Sequence, residues 1–497
     1  MIDQVLGFIR EAGRPAWLVG GYVRDHLLGR PTHDLDVIVP HGAVRLVRNL
    51  AEAFGGAWFV LDADRDVGRA ILPLGTGESL EVDVARLRAP ELLDDLALRD
   101  FTVNAMAMDF SSEPLQLVDP FDGREDLNRQ LLRAVSEGTF CDDPLRMLRG
   151  VRMVAELHFT LDGATYNLVR RDASLLASVS PERIRDELMR IVVAPDSWRY
   201  LKLLSDLALL PHVLPESAAQ SGVSQSPPHY QDVFDHSRSV LAHLHGIFAL
   251  LWPEGPFHIP TLTEGDSTVI APQQQWHEAA ALLEPFGPDL RMHLSLPLAT
   301  GHNRRDLMSW AAMAHDWGKP AKRTVEESGR MRFFGHDHWG ALVTQARLSA
   351  LKMSADEISY VARLTDLHMR PGELAHEYPF SRRAEYRFFR DAEGTGPDVA
   401  LLGLADYLAT HAPAPDRTGW ERLRQATHAL LQAFFRERTE RVNPTPLLNG
   451  RQVMTALGLA PGPKVGELLE ELLEAQATGA IHSEEDAMTW LRQQAAH

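Results

Sequence analysis

LVGGYVRDHLLGRPTHDLDVIV, residues 18–39, predicts a short strand, a tight Gly20-Gly21 turn, a helix over residues 22–28 and a second strand. Alternation along the second strand puts Asp34 and Asp36 on one face while Leu35, Val37 and Val39 point to the core. Two carboxylates side by side on a rigid strand repel each other unless something positive lies between them. A pair of Mg2+ ions, hard cations that take oxygen ligands and bridge to substrate phosphates, meets that requirement. Gly20 and Gly21 let backbone N–H groups approach a phosphate, the following helix adds its positive end, and Arg24 offers a guanidinium to the anion. A Gly-Gly turn alone is ordinarily just a turn, and Asp-x-Asp is common on surfaces. The two in this order, this close together, point to nucleotidyl transfer.

Composition bounds the rest. At 497 residues the chain is too long for one core, and about three or four domains are expected. No apolar run approaches the length that spans a membrane, and the start, MIDQVLGFIREAGRP, is an amphipathic helix with early acids, unlike a secretory signal. The single cysteine, Cys141, excludes a disulfide framework and fits a reducing, cytoplasmic setting. A net charge of −18 argues against coating nucleic acid by bulk attraction, so an RNA substrate needs local basic patches.

GGYVRD followed by HDLDVIV resembles the head of the class II tRNA nucleotidyltransferase and poly(A) polymerase family, within the polymerase-beta-like nucleotidyltransferases. The resemblance implies an α+β protein: a head with a mixed sheet and helices over residues 1–144, then an all-α neck over 145–216, an HD domain over 229–412 and a helical tail over 415–497. It also makes Asp34 and Asp36 the holders of the catalytic metals. Residues 42–54 read as a helix, and 57–61, 69–74 and 79–86 as strands. In the last of these, SLEVDVAR, Glu81 and Asp83 share a face; Glu81 is favoured as a third carboxylate, with Asp83 the near alternative and a solvated strand face the plain one.

Arg99-Asp100-Phe101-Thr102-Val103-Asn104-Ala105 resembles the family's RRDFTxNA motif, which implies that Arg99, Asp100 and Asn104 contact the nucleotide's sugar and phosphates; Leu98 stands where the first arginine is usual. Asp119-Pro-Phe-Asp-Gly123 matches a turn of the family and reads as structural. Cys141-Asp-Asp-Pro-Leu-Arg-Met-Leu-Arg149 resembles the EDxxR motif, with Asp142 in place of glutamate. Three apart, Asp143 and Arg146 are expected on one helical face, and the family implies that they read the Watson–Crick edge of C or A; an isolated pair of this kind is an ordinary helix ion pair. Arg183 and Glu187 are expected to brace the neck, and Arg149, Arg152, Arg170, Arg171, Arg185 and Arg190 form either a modest RNA-facing stripe or a solvated face.

SAAQSGVSQSPP, residues 217–228, reads as a flexible linker. Beyond it, His236, His315-Asp316 followed by Gly318-Lys319, His336, His368 and Asp406 recur on successive helices, a pattern that suits a divalent metal. It resembles an HD phosphohydrolase domain, whose quartet maps to His236, His315, Asp316 and Asp406; His336 and His368 complete a second metal position. The metal is Mg2+ or a transition ion. Residues 252–300 read as a peripheral insertion with one short helix at 275–283. PLLNGRQVM and GLAPGPKVG resemble the tail module of tRNA nucleotidyltransferases that carry an internal HD domain, with backbone N–H groups near Gly462 and Gly466 available to RNA phosphate.

The expected reaction is attack of a tRNA 3′-hydroxyl on the alpha phosphate of CTP or ATP, releasing pyrophosphate. Only LRAPELLDDLAL separates Arg86 from Arg99, shorter than in family members that finish CCA, which favours addition of CC with a separate A-adding enzyme acting next. A poly(A) polymerase or A-adding enzyme of the same family is the alternative. From another class comes a phosphohydrolase centred on the HD domain, and a non-enzymatic tRNA scaffold is the third reading.

Overall fold

The computed structural model describes residues 1–75, 78–109, 115–261, 270–298, 301–411 and 416–494. The chain forms two compact units, one of residues 1–187 with 207–212, the other of 188–206 with 213–497. Among the described residues, no helix is long and apolar enough to cross a membrane.

The first unit is built on a mixed sheet. After α1 (Ile2–Glu11) come β1 (Trp17–Val19), α2 (Gly20–Leu27), β2 (Asp34–Val39), α3 (Ala43–Phe54), β3 (Ala57–Asp62), β4 (Val67–Pro73), β5 (Ser79–Arg86), α4 (Leu92–Ala97), β6 (Ala107–Asp109) and β7 (Gln116–Val118). The strands lie in the order β3-β4-β5-β2-β1-β6-β7. Among the described residues, only β2 and β5 run parallel within it. Period-two alternation works as expected on β2: Leu35, Val37 and Val39 are buried. On the opposite face Ile38 packs with Val19, Leu96 and Ala107, leaving the Asp34–Asp36 end free for chemistry. The helices α5 (Gly123–Asn128), α6 (Thr139–Asp142), α7 (Arg146–Leu157), α8 (Gly163–Asp172) and α9 (Pro181–Val192) follow. The Asp119 turn is structural as expected: its carboxylate accepts the N–H groups of Gly123 (2.7 Å) and Arg124 (2.9 Å).

The second unit is helical, with a two-residue ribbon of Thr324–Val325 against Met331–Arg332. Two expectations change here. The stretch read as a flexible linker begins inside a helix, Pro215–Gln220, whose Ser217 and Gln220 are buried. Ser217 Oγ accepts the Trp317 indole N–H at 2.9 Å, and Ser226 Oγ accepts the Met331 N–H at 2.8 Å. Small polar side chains that look like linker composition are here hydrogen-bond partners, buried at Ser217 and half-buried at Ser226. The stretch read as a peripheral insertion is also integrated where it is described. Its helices Gln273–Leu283 and Gly287–Leu294 bury Trp276, Leu283, Leu290 and Leu294. The Trp276 ring stacks on His243 at 5.6 Å, and His293 Nε2 lies 2.6 Å from Asp398 Oδ2. Residues 262–269 and 299–300 of that stretch lie outside the described residues. At the far end Val453, Leu468, Leu472 and Leu491, from the helices Gly450–Leu457, Pro463–Ala477 and Glu484–Gln494, close a core of their own with Ile481 from the connection between the last two.

Candidate functional site

In the first unit the tight turn, the DxD strand and the RDFTVNA stretch converge. Gly20 sits at φ +64°, and a Cβ there would come within 3.1 Å of both Asp36 Oδ2 and an Arg99 guanidinium nitrogen. Only glycine meets the backbone and the space requirements together. Parallel register sets Asp34 beside Glu81 and Asp36 beside Asp83, so four carboxylates share one face. Arg69 on β4 engages the outer pair: its Nε and one terminal nitrogen donate to Asp83 at 2.7 and 2.9 Å, and the other terminal nitrogen lies 2.5 Å from Glu81. Burial, then the charges of Asp83 and Asp34, push the Asp36 carboxyl up, against the pull of Arg99 and the Gly21 N–H. Such a cluster is suited to a divalent cation, which would remove the repulsion.

A hydrogen-bonded chain extends from this point. Arg24 donates to Asn104 Oδ1 (2.9 Å), and Asn104 Nδ2 donates to Asp100 Oδ1 (3.1 Å). Arg149 on α7 donates to Asp100 Oδ2 at 3.1 and 2.8 Å. Burial opposes the charge of Asp100, but Arg149 and Asn104 outweigh it and hold its carboxyl below the usual range. Arg149 was visible in the sequence only as one of many arginines; its spacing of three from Arg146 along α7 was the available signal.

Asp143 and Arg146 do not share a helical face. Asp143 is extended (φ −149°, ψ 102°) in the break between α6 and α7. The cause is Pro144, which disfavours helical backbone in the residue before it. The two side chains are instead held separately. Arg183 on α9 donates to Asp143 Oδ2 at 2.7 Å, while Arg146 donates to the carbonyls of Thr139 (3.1 Å) and Leu98 (2.7 Å). Leu98, where the family's first arginine is missing, thus contributes its main chain. Glu187 braces as expected, accepting from Arg152 at 2.7 Å.

The second unit brings all six metal-type residues together. His236 lies on the helix Val233–Leu251, His315 and Asp316 at the end of Arg304–Ala314, His336 at the start of His336–Ala350, His368 after Ala355–Leu367 and Asp406 on Gly396–His411. They form two groups, His236 with His315 and Asp406, and Asp316 with His336 and His368. Gly318 allows this closeness, because a Cβ there would lie 2.0 Å from the His336 carbonyl oxygen. The Nδ1 atoms of His315, His336 and His368 lie 2.9, 2.8 and 2.7 Å from the carbonyls of Ala312, Phe333 and Thr365. A carbonyl can only accept, so Nδ1 carries the proton and each Nε2 turns a lone pair inward.

Those inward lone pairs test whether a metal fits. The Nε2 atoms of His336 and His368 face each other at 3.3 Å. Among the described residues, His236 Nε2, His315 Nε2 and both Asp316 oxygens are buried without a well-formed hydrogen bond. His236 Nε2 is 3.1 Å from Asp406 Oδ1, and His315 Nε2 is 3.1 Å from Asp316 Oδ2. An arrangement of converging lone pairs suits a cation. Lys319, 2.7 Å from Asp316 Oδ2, supplies one positive charge. Burial works against the Asp316 charge, but Lys319, together with His315 whenever its imidazole is protonated in the metal-free state, holds its carboxyl well below the usual range. His229, missed in the sequence, stands edge-on to His236 at 4.9 Å, and burial lowers it to about 3. A cavity of about 580 Å³ opens onto the cluster, lined by Lys319, Arg330, Arg332, Phe333 and Asp406 among others.

The family model "Poly A polymerase head domain" matches residues 16–133, and "Probable RNA and SrmB- binding site of polymerase A" matches residues 158–220. An A-adding tRNA nucleotidyltransferase of Deinococcus radiodurans is 34% identical over 483 residues, 96% of this chain and 95% of that protein. A CC-adding tRNA nucleotidyltransferase of Thermus thermophilus is 32% identical over 487 residues, covering 96% and 93%. Among solved structures, a CCA-adding enzyme with CTP aligns at a TM-score of 0.62 and 19% identity, covering 99% of this chain and 94% of that one, a likeness of fold.

Proposed function

The chain belongs to the class II tRNA nucleotidyltransferase and poly(A) polymerase family, and on that premise we propose that it adds cytidines to the 3′ end of tRNA from CTP, releasing pyrophosphate. The observation that carries this reading is the row of carboxylates on β2 and β5 facing the Gly20-Gly21 turn. Asp34 and Asp36, with Glu81 or Asp83, provide the oxygen ligands. Divalent cations bound there, in this proposal Mg2+, would acidify the attacking hydroxyl and neutralise the triphosphate. In this reading Gly20 and Gly21 bring the backbone close to the leaving pyrophosphate and Arg99 offers charge to it, while Arg24, paired with Asp25 at 2.8 Å, positions Asn104 beside it. Asp100 and Asn104, fixed by Arg149, orient the sugar. Asp143 and Arg146 read the base from two separately anchored positions. Residues 1–144 serve as head, 145–216 as neck, 229–412 as HD domain and 415–497 as an RNA-holding tail.

For CC rather than CCA, the support is the short segment 87–98, whose length is further taken up by α4 and by Asp95, buried and bonded to Arg88. The likeness to the Deinococcus A-adding protein favours A addition as a second reading. Extension of tRNA transcripts ending at the discriminator base, at C and at CC, each with CTP, ATP or both, separates them. Two cytidines and no A support the proposal. A single A on the CC-ending transcript alone supports the second reading, and a completed CCA overturns the short-segment argument. No extension with Mg2+ present would overturn the proposal itself.

His236, His315, Asp316 and Asp406 are proposed to hold a divalent metal, Mg2+ or a transition ion, with His336 and His368 completing a second position. The relatives described above are named for nucleotide addition, and no hydrolytic activity is assigned to this centre.

One prediction concerns base choice. Arg183 is the clamp on Asp143, so Arg183→Ala is expected to lower the ratio of kcat/KM for CTP over UTP by about tenfold, the loss of one charge-assisted hydrogen bond of about 1.4 kcal/mol. An unchanged ratio would reduce Arg183 to a brace.

A further inference from the structure

The edge of the sheet carries an unusual surface. β3 exposes Trp58, Phe59, Val60 and Leu61, each 40% exposed or more, on the outermost strand. An apolar edge strand is a liability that proteins normally blunt with charge or cover. Register shows what one of these residues faces. Phe59 pairs with Arg69, Arg69 with Asp83, and Asp83 with Asp36, a straight row across four strands on the carboxylate face. Trp58 pairs with Ala70, which is buried on the opposite face. Three strand spacings separate Phe59 from Asp36, about 14 Å.

Attack geometry gives that row a direction. In phosphoryl and nucleotidyl transfer the attacking and leaving oxygens lie roughly in line across phosphorus. The Gly20-Gly21 turn and the N-terminus of α2 lie on the β1 side of β2, so a triphosphate cradled there leaves toward β1. The attacking 3′-hydroxyl then enters from the β5 side. An RNA strand that brings its 3′ end over β5 can run back across the open face of β4 to β3. Arg69 offers little free charge along this path, since Asp83 and Glu81 already claim it. What the path offers at its end is an open aromatic face, and unpaired bases stack on such faces in a sequence-tolerant way.

We propose that Phe59 is a stacking platform for an unpaired base just upstream of the accepting 3′ nucleotide, so that the β5-β4-β3 face forms the track for the RNA end. This rests on the nucleotidyltransferase reading. The test is steady-state extension of a tRNA transcript ending at the discriminator base, comparing wild type, Phe59→Ala, Phe59→Trp and Trp58→Ala. Phe59→Ala is expected to raise KM for the tRNA about tenfold with KM for CTP unchanged, and Phe59→Trp to restore it. Trp58→Ala removes a comparably exposed aromatic from the same edge but the other face, so it controls for loss of strand stability and is expected to leave both KM values near wild type. A base analogue whose fluorescence is quenched by stacking, placed next to the 3′ nucleotide, should be quenched by wild type and not by Phe59→Ala. An unchanged KM for tRNA in Phe59→Ala overturns the platform, including the case in which the variant alters self-association. Equal effects of Phe59→Ala and Trp58→Ala would also overturn it. If the wild type extends only the CC-ending transcript, the same comparison is made there with ATP; failure of the wild type to extend transcripts ending at the discriminator base, at C or at CC with CTP and ATP would instead overturn the nucleotidyltransferase reading.

Discussion

Asp36→Asn is expected to cut the rate of nucleotide addition at least a thousandfold and, in metal-free buffer at neutral pH, to raise the melting temperature. The two effects have one cause. The Asp36 carboxyl is largely buried beside Asp83 and Asp34, which raises its affinity for a proton in the folded state. A folded pKa above the unfolded one means that the native state binds the proton more tightly. The penalty is therefore absent below the ordinary aspartate value of about 3.9 and complete above the raised one. At neutral pH the wild-type fold carries this penalty, and an uncharged amide of the same shape removes it. The same charge is what a divalent cation needs, and a thousandfold in rate corresponds to about 4 kcal/mol of lost stabilisation at the reacting phosphate. Mg2+ should accordingly raise the melting temperature of the wild type and leave that of Asp36→Asn nearly unchanged. Activity within tenfold of wild type, or a variant that melts lower in metal-free buffer at neutral pH, would remove Asp36 from the metal site.

Much of the head was legible because its signals are local and redundant. Strand β5 spans residues 79–86 as its alternation implied, since a one-residue slip would have turned Val82 and Val84 outward. The same rule placed Glu81 and Asp83 on one face, but neighbouring strands decide which acid stands beside which, and only the parallel register sets Asp83 next to Asp36. Asp143 and Arg146 show the converse. Their spacing suggested one helical face, while the proline between them, in plain view in the sequence, requires a break. Long-range partners had no local signature at all. Arg69, Arg149 and His229 owe their places to strand order and helix packing, and the hydrogen bonds of Ser217, buried, and Ser226, half-buried, anchor a segment whose composition read as a linker.

The six histidines and aspartates of the second unit were found one by one in the sequence, and their meeting point supports the second strong prediction. Asp316→Asn is expected to strip divalent metal from the purified protein, measured as metal per chain after dialysis. Among the described residues, Asp316 is the one acid within reach of His315, His336, His368 and Lys319 together. Neutralising it leaves inward-facing imidazoles and a buried ammonium that the Asp406 carboxylate only balances, a set with no net negative charge to hold a divalent cation. The same change leaves Lys319 Nζ, itself buried, without its carboxylate, so the metal-free variant should also melt lower. A fall in metal content alone could then reflect partial unfolding, and His336→Ala separates the two causes. The Nε2 atoms of His336 and His368 oppose each other at 3.3 Å, so removing one relieves a lone-pair contact in the metal-free state while deleting a ligand of the second position. This variant should retain metal at the His236, His315 and Asp406 group, lose it from the Asp316 and His368 side, and melt close to the wild type when metal-free. If wild type prepared in the presence of Mg2+, Mn2+ or Fe2+ retains no metal, the six residues are a buried polar network. If His336→Ala and Asp316→Asn lower the melting temperature equally and leave metal content unchanged, the two-position arrangement fails.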